Sequence, residues 1–505
     1  MAGLTLLGLG FAIAATGLYF GLFVDEGDKL VGAWLVAEGA VPYRDFFTHH
    51  FPLPYYWLAG AFALLGPNVL AARLAMLVFN LIAFAVLMRA TGRYLLVGVA
   101  AVGWGALGHL FGAHMAIYNS LAAAALTVVL GLGLTALTTI TPLARPALFS
   151  LGLYAALAIL SDLTLAAGVL GVFILLALHR PARARLWAAL AGLALPLAAW
   201  VVYLALTHSL APAYDSLVRF NAEVYNRYYQ LSAAQWLDAL ARNAVSGLYV
   251  WKPPFWQLTA AAFGPADHLT DMGRWLFGGF LFRIAILLVC GLLLIQRRWL
   301  AALLVYGLAV LTATRAEAWF RLQPFALLAL IAPALVLAYW LEQPAAAGAR
   351  PRRWARLSVT LLLLGLVAWP IVRGIGSLVQ VRARLSYAVS FAGPRTQAEH
   401  IHDLVEAQPA ALGVYPGDPL LNFLTGLKPV GGVMYLWPWV AEEHQAAVIA
   451  ALEAEPAVVF LNVDGEVWER PVAVFLGDLH AYLEDNYLNV EQSYYLSPRL
   501  RPYPP

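Results

Sequence analysis

Apolar residues run in long unbroken stretches through most of the first 375 positions. The stretches recur at roughly the 17 to 25 residues that a helix needs to cross a bilayer. They predict spans at about 4–23, 68–88, 94–111, 119–140, 147–161, 163–179, 186–207, 276–296, 299–313, 322–341 and 357–375, about 11 in all. A β-barrel would instead show short alternating segments. The fifth and sixth spans are short and meet at Ser161-Asp162, which reads as a tight hairpin. Between the spans lie two long polar and aromatic segments, 24–67 and 208–275.

From 376 to 505 the pattern changes to that of a water-soluble fold. Strand-like AALGVYP and AVVFLNV flank a helix-like AEEHQAAVIAALEAE, predicting a small α/β domain. The chain therefore divides into a helical membrane domain, 1–375, and a C-terminal domain, 376–505, with an Ala-, Pro- and Arg-rich linker around Gln343 to Arg353. The first 23 residues lack a basic leader and a small-residue cleavage site, so they read as a retained span.

Composition agrees with lipid as the solvent: 62% of residues are hydrophobic, 12% are charged, and the mean hydropathy is +0.74. A net charge of +3 points to no nucleic-acid partner. A lone cysteine, Cys290, excludes an intramolecular disulfide.

The distribution of charge fixes the orientation. With a cytoplasmic N-terminus, the cytoplasmic connections hold Arg89, Arg93, Arg145, Arg180, Arg183, Arg185, Arg297 and Arg298, as the positive-inside rule requires. The acids Asp25, Glu26, Asp28, Glu38, Asp45, Asp162, Asp215, Glu223 and Glu317 then face the other side. Both long loops and the C-terminal domain are expected to be extracytoplasmic.

The first loop carries the candidate chemistry. VDEGDKLVGAWLVAEGAVPYRDFFTHHFPLPYY leaves the membrane into three acids within four residues, Asp25, Glu26 and Asp28. Carboxylates at an apolar boundary lose solvation, which biases them toward proton chemistry. Solvated interfacial charge is the plainer reading, and for Asp28 it is the one expected here. A weakly amphipathic helix is expected from Lys29 to Glu38.

The acidic doublet after the first span, then Pro42-Tyr43-Arg44-Asp45, His50, Pro52 and Tyr55-Tyr56, closely resembles the first loop of the GT-C glycosyltransferases. The closest resemblance is to the bacterial branch with the protein O-mannosyltransferases, the lipid A aminoarabinose transferase and the rhizobial lipopolysaccharide transferases. It is specific over roughly residues 10–90 and extends through the span layout to about 375.

The resemblance implies an inverting transferase of the bacterial inner membrane, taking a sugar from a polyprenyl-phosphate carrier to an acceptor hydroxyl on a glycan, lipid or protein. Asp25 matches the catalytic base, and Glu26 would orient the acceptor or tune the base. Cations are needed at the leaving phosphate. Arg44, His49 and His50 of the loop, Arg315 and Arg321 at the ninth and tenth spans, and Arg283 inside the eighth are the candidates, with Asp45 and Tyr55 beside them. For each, an interfacial or structural role is the plainer alternative.

Related oligosaccharyltransferases hold a divalent metal with an acid in the next outer loop. Here that loop offers His109, His114, Tyr118 and Asn119 but no carboxylate, so metal independence and no cofactor are expected. Asp162 is a possible second acid or a local polar cap. In the second loop Leu217, Phe220, Val224 and Tyr228 recur at helical spacing, which suggests a helix packed on the bilayer or a lid. Tyr435, Trp437 and Trp439 are expected in the tail's core, and nothing in the tail looks catalytic.

Three alternatives remain open at this stage. A lipid-linked-sugar transporter or flippase would favour repeated halves, which are not seen. An O-antigen ligase or polymerase would favour basic outer-loop residues over an acidic doublet. An inactive scaffold would retain the layout without the chemistry.

Overall fold

The structure is a computed structural model and describes residues 1–21, 24–139, 142–229, 281–314, 319–342, 387–405, 408–491 and 493–500, with isolated positions within 234–241 and 361–375. Arg315, the expected span at 357–375 and the second outer loop beyond 229 lie outside the described residues, those isolated positions apart.

In chain order the described α-helices of six residues or more begin with α1 Ala2–Ala15, α2 Val24–Ala37, α3 Leu53–Leu65, α4 Val69–Thr91, α5 Tyr94–Leu107 and α6 Tyr118–Thr138. They continue with α7 Arg145–Ser161, α8 Ala166–Leu178, α9 Leu186–Leu206, α10 Phe282–Ile295, α11 Trp299–Thr314 and α12 Gln323–Glu342. Outside the apolar region come α13 Tyr387–Val405, α14 Leu420–Thr425, α15 Pro438–Ala454 and α16 Gly477–Asn486. Among the described residues, 6 helices are long and apolar enough to cross a membrane. The expected spans at 147–161, 163–179, 276–296 and 299–313 fall on described, shorter apolar helices. Leu53–Leu65 is a further apolar helix, inside what the sequence suggests is a loop.

The chain sorts into two compact units, each built from separated stretches. Unit 1 comprises Met1–Phe20, Arg73–Trp200 and Ser232–Arg384; unit 2 comprises Gly21–Ala72, Val201–Leu231 and Leu385–Pro505. The first outer loop and the start of the second, to Leu231, thus fall with the C-terminal residues.

In unit 1, α6 is buried along its length and packs on α7, α11 and α12. Gly10 and Gly105 sit where a Cβ on either would strike the facing backbone, which lets α1 and α5 approach closely. Arg73, a buried charge in α4 that the sequence reading passes over, donates to the carbonyls of Leu18 (3.1 Å) and Phe20 (2.6 Å), satisfying chain ends after α1.

In unit 2, strands β1 Ala411–Tyr415 and β2 Ala457–Leu461 pair in parallel, with α14 and α15 in the crossover. A short hairpin follows, β3 Glu466–Val467 and β4 Arg470–Pro471; then β5 Leu488–Glu491 and β6 Tyr494–Leu496 complete the order β1-β2-β6-β5, with β6 antiparallel to both of its neighbours. Every residue of β1 is buried, which explains its unbroken apolar run.

The unit 2 core joins Tyr415, Trp439, Val448 and Val459 to Val31 and Leu35 of α2 and to Phe220 and Val224. Asp215–Tyr225 is a π-helix, and its Leu217, Phe220 and Val224 stripe is buried. The expectation that this stripe packs on the bilayer is corrected: the aromatic and branched side chains find a protein core. Tyr435 and Trp439 are buried, as expected of core aromatics.

Candidate active site

Helix α2 starts at Val24, five residues before the expected Lys29, so the whole DEGDK run is helical. Asp25 and Glu26 occupy its first turn, where carboxylates meet the positive end of the helix dipole. Gly39, at φ 94°, turns the chain out beyond its end. Helical geometry then decides which acid faces where. Asp25 is half-buried, while Glu26 and Asp28 are buried at 0% and 6% exposure.

Asp28 is therefore corrected from a solvated charge to a buried one. Its Oδ2 lies 2.5 Å from Lys29 Nζ and 3.6 Å from His50 Nε2. Its Oδ1 is buried with no hydrogen-bond partner among the described residues. Burial pushes the Asp28 carboxyl above the usual carboxylate range, and the neighbouring Lys29 ammonium works against that rise. Lys29 is itself buried, with its ammonium 5.5 Å from the centre of the Tyr55 ring. Tyr55 is fully buried, its hydroxyl 2.7 Å from Thr48 Oγ1.

The two histidines of the first loop differ. His50 is partly exposed and points Nε2 at Asp28, while its backbone carbonyl accepts the Tyr43 hydroxyl at 2.9 Å. His49 is buried among Phe47, Phe220 and Tyr225, with Nδ1 3.2 Å from the Tyr435 hydroxyl. Burial, and then the charge of Lys29, push His49 down to about 3. It is a neutral imidazole at ordinary pH.

Arg44 and Asp45 pair with each other in a two-bond fork, both at 2.8 Å. Asp45 also accepts from Val41 N at 2.7 Å, and Arg44 donates to the Thr207 carbonyl at 3.1 Å. They hold the turn between α2 and α3.

The C-terminal residues of the same unit reach the acid helix. A Cβ on Gly27 would stand 2.8 Å from Leu420 N and 3.1 Å from Pro419 Cγ, so only glycine admits this approach. Asp418, one residue earlier, is a half-buried carboxyl that burial pushes above its ordinary value. Sequence reasoning assigned Lys29, Asp418 and Tyr435 no part here. A usable signal existed for Lys29 alone, since it is one of three lysines in an arginine-rich chain and follows three acids.

The remaining candidates belong to unit 1. Asp162 caps the turn at Leu163–Leu165, its Oδ1 accepting from Thr164 N (3.1 Å) and Oγ1 (2.6 Å). Arg283 is buried on α10 in a pocket with Ile286, Tyr306 and Val310, its guanidinium 5.9 Å from the Phe325 ring centre. Arg321 lies half-buried in the 3-10 turn Trp319–Leu322.

Comparison with solved structures places this architecture. The crystal structure of ArnT from Cupriavidus metallidurans bound to undecaprenyl phosphate superposes with a TM-score of 0.57 and 14% identity, covering 98% of this chain and 97% of that one. The chain has the ArnT fold. The apo structure of ArnT agrees, with a TM-score of 0.53, 15% identity and the same coverages. Because the ArnT fold matches over nearly both full lengths, the C-terminal α/β region is part of the shared architecture. No family model and no curated protein sequence matches the chain.

Proposed function

We propose that this protein is an inverting glycosyltransferase that moves a sugar from a polyprenyl-phosphate carrier to an acceptor hydroxyl on the extracytoplasmic face of a bacterial inner membrane. One observation carries the reading. In a chain with the ArnT fold, the half-buried Asp25 stands one helical turn before Asp28, whose carboxylate gathers Lys29 and His50. A base and cations are thus close in sequence and in space.

Asp25 takes the proton of the acceptor hydroxyl as its oxygen bonds to the anomeric carbon. The bond from that carbon to the phosphate oxygen breaks on the opposite face, and its electron pair leaves with the polyprenyl phosphate. His50, with Lys29 behind it, offsets the charge that develops there. Glu26, buried against the same turn, orients the base. Metal independence is part of the proposal.

The test is transfer from radiolabelled polyprenyl-phosphate sugars by the full chain in vesicles. Asp25→Asn should lower kcat by at least about 100-fold, the scale of general-base loss, and a chelator should leave the wild-type rate unchanged. Undiminished transfer by Asp25→Asn sinks the assignment. Movement of the lipid without transfer supports a flippase instead.

A further inference from the structure

Asp28 makes poor sense as a stabilising residue. It is buried, shares one oxygen between the Lys29 ammonium and the His50 imidazole, and leaves the other oxygen unpaired among the described residues. A buried ion pair roughly breaks even against apolar packing only when its geometry satisfies every lone pair, and this one does not. An apolar side chain facing Tyr55 would be cheaper. What the arrangement does achieve is placement: one carboxylate fixes a buried ammonium on its own helix and a partly exposed imidazole from the segment before α3.

We propose that Asp28 is a positioning residue that holds His50 protonated and aimed as the cation for the donor's phosphate, with the Lys29 ammonium fixing the carboxylate between them. The inference rests on the phosphate-linked donor of the preceding section.

Titratable groups from several elements surround this couple. Lys29 comes from α2, Tyr43 and His49 from the segment leading to His50, Tyr55 from α3, and Tyr435 from the C-terminal residues against His49. Tyr43 and Tyr55 are pushed far above their ordinary value by burial, so they stay protonated. His49 is pushed down to about 3 and stays neutral. A protonated His50 binds a phosphate and loses it as pH rises; a neighbouring carboxylate favours the protonated form and so extends that range upward.

The experiment measures binding of undecaprenyl phosphate to the purified full chain in lipid nanodiscs between pH 6 and pH 9. His50→Lys keeps a charge throughout and reports the titration of the lipid phosphate itself. Relative to it, wild-type binding should weaken with rising pH, and in Asp28→Asn that weakening should begin about 1 pH unit lower. Asp28→Glu should restore it. Should Asp28→Asn fail to fold because Lys29 is stranded, Asp28→Asn with Lys29→Met removes both charges and should still bind with an alkaline limb below that of wild type.

A limb that stays at its wild-type position in a folded Asp28 variant overturns the inference alone. So does wild-type binding that parallels His50→Lys at every pH. No binding by wild type at any pH overturns the donor reading as well. A purely structural Asp28 would lower thermal stability and leave the limb where it is.

Discussion

The Arg219 guanidinium grips Glu443 through two parallel bonds, Nη1 to Oε1 at 2.8 Å and Nη2 to Oε2 at 2.7 Å. Arg219 also bonds Asp215 one helical turn back, and Arg227 and Tyr228 meet Glu442 at 2.8 Å each. The π-helix is thereby fastened to α15 within unit 2. Its fork geometry gives direction, and its exposure makes it sensitive to salt.

Glu443→Gln should therefore loosen Asp215–Tyr225 without unfolding the unit. Hydrogen exchange in that segment should speed up, and high ionic strength should reproduce part of the effect in wild type. Unchanged protection in the variant would mean that Phe220 and Val224 alone hold the segment.

His49 predicts an acid sensitivity. Its pKa is about 3 in the folded chain, against 6.5 for an ordinary histidine. A depressed folded value contributes stability that is whole above about pH 6.5 and is lost as pH falls from there toward about 3. His49→Gln keeps a partner for the Tyr435 hydroxyl and removes the titration. Thermal melts across that window should fall less steeply in the variant than in wild type; equal slopes would refute the burial-driven shift.

Gly27 predicts a steric cost. Gly27→Ala would force Leu420 N or the α2 backbone to move, at about 1–3 kcal/mol for overpacking of this kind. Gly60→Ala is the control, because a Cβ there meets nothing within 4 Å and alanine favours the helix. The melting temperature should drop for the first and hold or rise for the second, and transfer should fall only for the first.

The apolar periodicity made the helices of unit 1 legible, because lipid and core both demand the same long runs. The tail strands were legible for a related reason: β1 and β2 are buried on both faces and read as continuous. Asp28 was misread because a spacing of three acids in four residues carries no facing until the start of the helix is known, and that start lay at Val24. The Leu217 stripe was read correctly as amphipathic, but amphipathicity cannot distinguish lipid from a protein core as the apolar partner. Asp418 and Tyr435 were beyond reach because what brings them to α2 is a tertiary approach through Gly27 and His49, which leaves no local pattern.

The approach of Leu420 to Gly27 also sets an order of assembly. Helix α2 leaves the ribosome well before the residues that close against it, because Pro419 and Leu420 follow Gly27 far along the chain. The acid helix must therefore wait, with its glycine face uncovered, until the β1–α14 turn has been made and can dock. Chains that stall before Leu420 would carry the acids and the histidines and still lack the wall that closes on Gly27.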